Sequence, residues 1–189
     1  MVLRGLTASL LFVSLIAPQS WKNAAPESFR ANGQASGRAG GVASAINIQI
    51  DRYTTDADHE TLVNALKSGG HTAFVEALHH APAVGSVKIG ERAVPVRWAR
   101  QRAQGDGRRI AVVTDGPVFF VGAGAVDAKP TAGFDVGVVE FTVDSVGLGK
   151  GTMAPAARVK PGGPTGVEVE DYGGSRVTLS TVTRNTTGS

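Results

Sequence analysis

The sequence predicts an α+β domain that is mainly antiparallel β-sheet, sandwich or barrel-like, with an αα-hairpin after the first strand. Two observations favour this class: apolar and polar residues alternate over many short segments, and turn-forming residues separate these segments at hairpin length. A third is that one stretch alone has helical periodicity, so the strand–helix alternation of a parallel sheet is missing. A chain of 189 residues has the length of one domain.

The first predicted strand leads into the helical stretch. Ile46, Ile48 and Ile50 alternate with polar residues, which is typical of a half-buried strand. Thr55 precedes Asp58 by three residues, a spacing that predicts a capped helix start with acidic groups at its positive end. A Gly-Gly pair then divides the helical pattern into two short halves, which we expect to form an αα-hairpin.

Downstream of the helical stretch the apolar period changes to two. Turn signals such as Asp115-Gly116-Pro117 separate the segments. A change of phase near Val138 predicts a bulge, and Pro155 predicts an edge position or another bulge. The predicted strands span residues 84–89, 93–102, 109–114, 118–121, 134–144, 152–160, 167–171 and 176–183.

The N-terminal residues predict export. Residues 1–17 combine Arg4 with an apolar stretch that is typical of a signal peptide and too short to span a bilayer. Residues 18–44, rich in Gly, Ala and Ser, predict a flexible linker ahead of a domain over 45–184. Residues 185–189 predict a disordered tail. We therefore expect a periplasmic or secreted protein.

Composition excludes several classes of protein. Cysteine is absent, which excludes disulfides, thiolate metal sites and cysteine nucleophiles. No apolar run reaches the roughly 18 residues that a membrane-spanning helix needs, so no membrane span is predicted.

The positive charge lies at the N-terminal end. The formal net charge of +3 arises within the first 44 residues, and the later residues carry equal numbers of acidic and basic side chains. Residues 88–109 are locally basic, with a net charge of +5, between two acidic segments. Because the domain is neutral as a whole and has few aromatic residues, the sequence predicts no nucleic-acid partner.

Arg97, Trp98, Arg100 and Arg102 are the candidate ligand-binding residues. On a strand, Trp98, Arg100 and Arg102 share one side, which is typical of a cation–aromatic site for an anionic ligand. The predicted partner is an unknown anionic ligand or an envelope component. In the alternative interpretation, Trp98 belongs to the core and the arginines pair with acidic residues of the flanking segments.

No catalytic or phosphate-binding motif is complete. The segment 147–152 resembles a phosphate-binding loop, but its spacing is wrong and Pro155 interrupts the helix that should follow. Ser175 lacks the second glycine of a nucleophile elbow. Glu168 and Glu170 fall on the polar face of one strand. The sequence therefore predicts no cofactor and assigns no catalytic residue.

All four histidines lie in or beside the helical stretch. His59 and His71 are weak metal candidates because carboxylates surround them in sequence, but the spacing of a metal-binding helix is missing, so no metal is assigned. An exported hydrolase with a non-local site is the alternative function, and it requires His59, Asp56 and His71 to converge in one pocket.

Four strings of the sequence carry a resemblance to a known family. They span residues 48–56, 65–70, 109–115 and 149–157. Together they resemble an uncharacterised family of exported proteins of unknown function from soil bacteria. The resemblance implies a bacterial envelope protein and brings no activity, cofactor or catalytic residue.

The sequence therefore predicts an exported, non-enzymatic ligand- or partner-binding protein of the bacterial envelope. This prediction depends on the signal-like residues 1–17, the β-rich domain and the incomplete catalytic motifs. Besides the hydrolase, a second alternative is a structural or assembly module that acts through exposed strand edges.

Overall fold

The computed structural model describes residues 25–35, 42–119 and 131–185 of the chain. Within these residues it contains nine strands and one helix, and all strand pairings are antiparallel. The elements are β1 (Glu27–Ala35), β2 (Val42–Ile50), α1 (Asp56–His80), β3 (Gly85–Ile89), β4 (Arg92–Gln104), β5 (Gly107–Thr114), β6 (Val136–Val143), β7 (Leu148–Gly162), β8 (Gly166–Tyr172) and β9 (Val177–Asn185).

Eight of the strands close into a barrel. Strands β1 to β7 follow one another around the wall, and β9 closes it by pairing with both β7 and β1. Ala157 of β7 pairs with Val136 of β6 on one edge and with Tyr172 of β8 on the other. The strand β8 therefore lies on the same edge of β7 as β9, beyond the closed ring. The predicted fold class is confirmed, with the barrel as its architecture.

Glycines allow the strands of the wall to approach closely. A Cβ atom at Gly149 would collide with the carbonyl oxygen of Thr142, and one at Gly151 with that of Glu140. Glycine at such positions lets a sheet bend and coil enough to close.

Apolar side chains fill the interior of the barrel. The rings of Phe29 and Phe141 meet edge to face, with their centroids 4.9 Å apart. Branched aliphatic residues surround this pair on most of the strands, among them Ile46, Ile48, Ile50, Val87, Val96, Ile110, Val112, Val139, Val143, Val177, Leu179 and Val182. This continuous core stabilises the wall from within.

The helix α1 covers part of the outer wall and forms a second core. Apolar residues of both its halves are buried there, namely Leu62, Val63, Leu66, Phe74 and Leu78. They pack against outward-facing residues of the wall and of β8, including Trp98, Val113, Val136, Val138, Ala154 and Val167.

The strand β6 is buried on both faces. Val139 faces the interior and Val138 faces α1. The side chains of β6 therefore alternate regularly between two cores, and the predicted change of phase is absent. The predicted irregularity is present in its pairing with β7. An extra residue of β7 lies between Ala154 and Ala157, where Pro155 stands. Of the two alternatives predicted for Pro155, an edge position or a bulge, the structure has the bulge.

The strand β1 corrects the prediction that residues 18–44 form a flexible linker. Glu27–Ala35 is an integral strand of the barrel, and β2 begins at Val42 rather than near residue 45. The inward-facing residues of β1 are small after Phe29, and small residues produce little hydrophobic signal although they fit a narrow barrel interior. The predicted signal peptide over 1–17 lies outside the described residues.

A single kinked helix replaces the predicted αα-hairpin, and it follows the second strand. Thr55 caps α1, because its Oγ1 accepts a hydrogen bond from the backbone N–H of Asp58 at 3.1 Å, as predicted. Gly70 has non-helical angles (φ 68°, ψ −159°) and marks the kink at the predicted joint. Apolar residues of both halves belong to one core cluster together with residues of the barrel wall, so both halves pack on the wall.

Two further points complete the comparison with the predicted elements. Residues 118 and 119, at the start of a predicted strand over 118–121, are not in a strand, and the rest of that segment lies outside the described residues. No helix in the described part of the chain is long and apolar enough to cross a membrane.

Candidate functional site

Trp98 belongs to the core between α1 and the barrel. Its side chain is fully buried, and its Nε1 donates a hydrogen bond to Nδ1 of His59 at 3.2 Å. Its ring therefore cannot stack on a ligand in this arrangement. The four residues of the predicted strip consequently do not form one open cation–aromatic surface.

Arg97 cross-links the end of α1 to the wall of the barrel. It is the extra residue of a bulge in β4, which turns its side chain out of the alternation. Its guanidinium binds Asp115 through Nε at 2.8 Å and Nη2 at 2.7 Å, and donates to the carbonyl oxygen of Ala81 at 2.5 Å. Nδ1 of His79 lies 2.5 Å from the same carboxylate. Arg97 thus pairs with an acid of the flanking segment.

Arg100 and Arg102 line a groove beside the N-terminus of α1, which we call the helix-cap groove. Nη1 of Arg100 donates to the carbonyl oxygen of Thr54 at 3.0 Å and to Asp56 at 2.9 Å. The side chain of Arg102 is exposed. The groove has a volume of about 510 Å³, and its lining consists of Tyr53, Thr54, Thr55, Asp56, Arg100, Gln101 and Arg102. The structure therefore brings two of the four predicted residues together.

The electrostatic environment beside this groove favours negative charge. The pKa of His59 is lowered, first by burial and then by the positive charges of Arg100 and Arg102, although Asp56 and Glu60 act in the opposite direction. The first turn of α1 borders the groove, and Asp56 and Asp58 lie there at the positive end of the helix dipole.

The histidines proposed for metal binding or hydrolysis lie in separate places. His71 accepts a hydrogen bond from the backbone N–H of Val159 at 3.2 Å, and its Nε2 lies 3.4 Å from Asp135. His59 packs against Trp98 near the other end of α1. Of the three residues that the hydrolase alternative requires, Asp56 alone lines the helix-cap groove. Among the described residues, no group of three or more potential ligands is arranged to hold a metal ion.

A second groove crosses the outer face of the barrel, and sequence analysis did not predict it. We call it the barrel groove. It has a volume of about 460 Å³. Arg109 lies 3.8 Å from Glu140 in an ion pair. The lining consists of Gln104, Arg109, Glu140, Phe141, Thr142, Lys150, Gly151, Thr152, Arg176, Thr178, Leu179 and Ser180. Its polar residues come from five strands and from Arg176, which precedes β9, so no local sequence motif predicts the groove.

A buried ionic network lies inside the barrel. The guanidinium of Arg108 binds both carboxylate oxygens of Glu27, at 2.8 and 2.5 Å, and the Tyr53 hydroxyl donates to the same carboxylate. Burial raises the pKa of Tyr53 and the neighbouring carboxylate raises it further, so the hydroxyl stays protonated. Gln101 and Arg184 complete the network. These partners satisfy the buried charges, and the network contributes to the core.

Comparison with known proteins gives no information about the function of this chain. No family model, no curated protein and no solved structure matches the chain. The arrangement of the side chains is therefore the basis for any functional inference.

Proposed function

We propose that this chain is an exported, non-enzymatic protein of the bacterial envelope that binds an anionic ligand in the helix-cap groove. The observation that carries the proposal is the pair of arginines, Arg100 and Arg102, side by side in a groove at the positive end of α1. Export is supported by the signal-like sequence of residues 1–17.

Each arginine has a distinct role in the proposed site. Arg102 is exposed, and no acidic side chain of the described residues lies within ion-pair distance of it, so it is available to an incoming anion. Arg100 is held by Thr54 and Asp56. The Asp56 carboxylate is 88% exposed, so its displacement by a stronger anion costs little desolvation. Thr55 and Gln101 also line the groove, where their side chains are hydrogen-bonded to Asp58 and to Arg108.

The test is calorimetric titration with a small dianion, digalacturonate, in low salt. We expect Arg102→Gln to weaken binding about tenfold, the effect of losing one charge-assisted hydrogen bond. Arg100→Gln should weaken binding more than Arg102→Gln does. The affinity of the unchanged protein should decline as salt is added. A titration with neutral maltose should show no heat.

Arg30→Gln is the matched control, because Arg30 is an exposed arginine of β1 outside the groove. It removes the same charge and should leave the affinity unchanged. Equal affinity of the Arg102→Gln variant and the unchanged protein would refute the site. Equal losses for Arg30→Gln and Arg102→Gln would show attraction by net charge alone, and would refute it as well.

A further inference from the structure

Four residues on neighbouring strands form one row across the outer wall of the barrel. Arg102 of β4 pairs with Arg109 of β5, which pairs with Thr142 of β6, which pairs with Lys150 of β7. Their sequence neighbours Ile110, Phe141 and Val143 belong to the interior core, so the row itself faces outward. We call these four residues the basic row.

The basic row places like charges next to each other. Arg102 and Arg109 stand directly opposite on adjacent strands, an arrangement that destabilises a sheet unless an anion compensates it. Glu140 balances Arg109 in part, at 3.8 Å. In the part of the chain that the structure describes, no acidic side chain forms an ion pair with Arg102 or Lys150. The row thus has positive charge that no described acidic side chain neutralises in full.

The basic row connects the two grooves. Arg102 lines the helix-cap groove, whereas Arg109, Thr142 and Lys150 line the barrel groove. Three steps between adjacent strands separate Arg102 from Lys150, which corresponds to about 14 Å along the wall. A small anion cannot contact both ends of such a row, but a chain with a charge on successive units can.

We propose that the ligand is an acidic polysaccharide that lies across the basic row, from the helix-cap groove into the barrel groove. The inference rests on the proposed function and names the ligand class of the same site. Carboxylates on the sugar units would pair with the row, and sugar hydroxyls would bond to the neutral polar groups beside it, such as Gln104, Thr152 and Ser180.

The lining of the barrel groove favours a sugar chain over a nucleic acid. Single-stranded nucleic acids are bound largely by stacking of bases on aromatic side chains. The aromatic residue of this lining, Phe141, is 1% exposed and belongs to the interior core. Hydroxyl and amide groups lie beside the charged residues of this lining, and they can form hydrogen bonds with the hydroxyls of a sugar chain.

The experiment measures the affinity for digalacturonate and for a galacturonate decamer. It uses the full chain and its Lys150→Gln and Lys160→Gln variants. Both lysines are exposed residues of β7, but Lys150 alone lies in the basic row and in the grooves described above. We expect the unchanged protein to bind the decamer more tightly than the dimer. Lys150→Gln should weaken decamer binding about fivefold and lower its salt dependence by about one charge, with the dimer unaffected. Lys160→Gln should change neither.

The outcomes separate the two proposals. Absence of arginine-dependent dimer binding would refute the helix-cap site itself. Intact dimer binding with a decamer that binds no tighter, or with equal effects of the two lysine substitutions, would refute the extended ligand alone. Tighter Lys150-dependent binding of polyphosphate or of single-stranded DNA than of the decamer would overturn the assignment to a polysaccharide.

Discussion

The indole of Trp98 lies between α1 and the barrel wall, where its N–H donates to His59. An aromatic residue between arginines has two plausible roles in a sequence, ligand platform or core, and alternation along the strand is the same for both. The choice depends on whether another element covers that face. Here α1 does, and two of the three arginines, Arg97 and Arg100, pair with acids of the flanking segments. The alternative that the sequence left open therefore holds for Trp98 and for these two residues.

His59 gives a pH-dependent contribution to stability. Its folded-state pKa lies below the ordinary value of 6.5, because burial and then the arginines disfavour its charged form. The unfolded chain therefore binds more protons, and the stability that neutral His59 provides is present above pH 6.5 and lost as the pH falls below it. Protonation at Nδ1 would also remove the acceptor of the Trp98 hydrogen bond.

We expect His59→Gln to cost up to about 1 kcal/mol at neutral pH, since glutamine keeps an acceptor near Trp98 with poorer geometry. On acidification the unchanged protein should lose stability faster than this variant, so that the difference between them shrinks. Urea unfolding at about pH 7.5 and about pH 5 measures the cost of the substitution and its change with pH. His80→Gln, at an exposed histidine of the same helix, is the control and should follow the unchanged protein. Parallel pH profiles for all three proteins would contradict the prediction.

Glu27 and Arg108 show the limit of local sequence information at the residue scale. They are 81 positions apart, and each is nearly fully buried in one ion pair. A buried carboxylate without its partner would be very costly, so neither residue would be placed in a core from its own neighbourhood. The bidentate geometry between them is possible only because β1 and β5 line the same interior.

At the scale of elements, the kink of α1 depends on Gly70. Its angles, φ 68° and ψ −159°, belong to a region that is essentially restricted to glycine. The joint between two short helical halves was predictable, because a Gly-Gly pair interrupts the pattern locally. Their relative arrangement was not, because it depends on the curvature of the wall that both halves cover.

Gly70→Ala should destabilise the protein by about 1–3 kcal/mol. The cost comes from the backbone conformation, since no heavy atom lies within 4 Å of the place a Cβ would take, apart from the chain neighbours and the adjacent backbone of the helix. Chemical denaturation measures the loss. Lys67→Ala, at an exposed position one turn earlier, should stay within about 0.5 kcal/mol of the unchanged protein. A Gly70→Ala variant as stable as Lys67→Ala would mean that the kink is not required.

At the scale of the whole molecule, β1 determines whether the barrel is closed. It pairs with β2 on one edge and with β9 on the other over nearly its whole length. Without β1, the strands β2 and β9 would each have an unpaired edge. The ring of Phe141 in the interior would also lose its aromatic partner, Phe29. Closed barrels protect strand edges from association with other chains.

A chain that begins at residue 42 should therefore self-associate and lose its cooperative thermal transition, whereas one that begins at residue 25 keeps β1 and should melt cooperatively as a monomer. Light scattering coupled to size exclusion, together with circular dichroism on heating, distinguishes the two. Retention of a monomeric, cooperatively melting fold from residue 42 onward would contradict an integral role for β1.

Closure also bears on the alternative of assembly through strand edges. Each strand of the ring has partners on both edges, and within the described residues β8 is the strand that pairs with a single neighbour, β7. Its exposed residues include Glu168, Glu170 and Asp171. Charged residues on an edge strand oppose pairing with another chain, so ligand binding in the grooves remains the function that we favour.

The sequence by itself determined most strands, the capped start of the helix and the position of its kink, and it marked Pro155 as either an edge position or a bulge. These features depend on alternation, capping and backbone preferences, which act over a few residues. The tertiary structure alone decided the recruitment of β1, the burial of Trp98 and the alignment of Arg102, Arg109 and Lys150 in one row. Those contacts depend on strand register and barrel closure, which join residues distant in the chain through interactions that no single segment encodes.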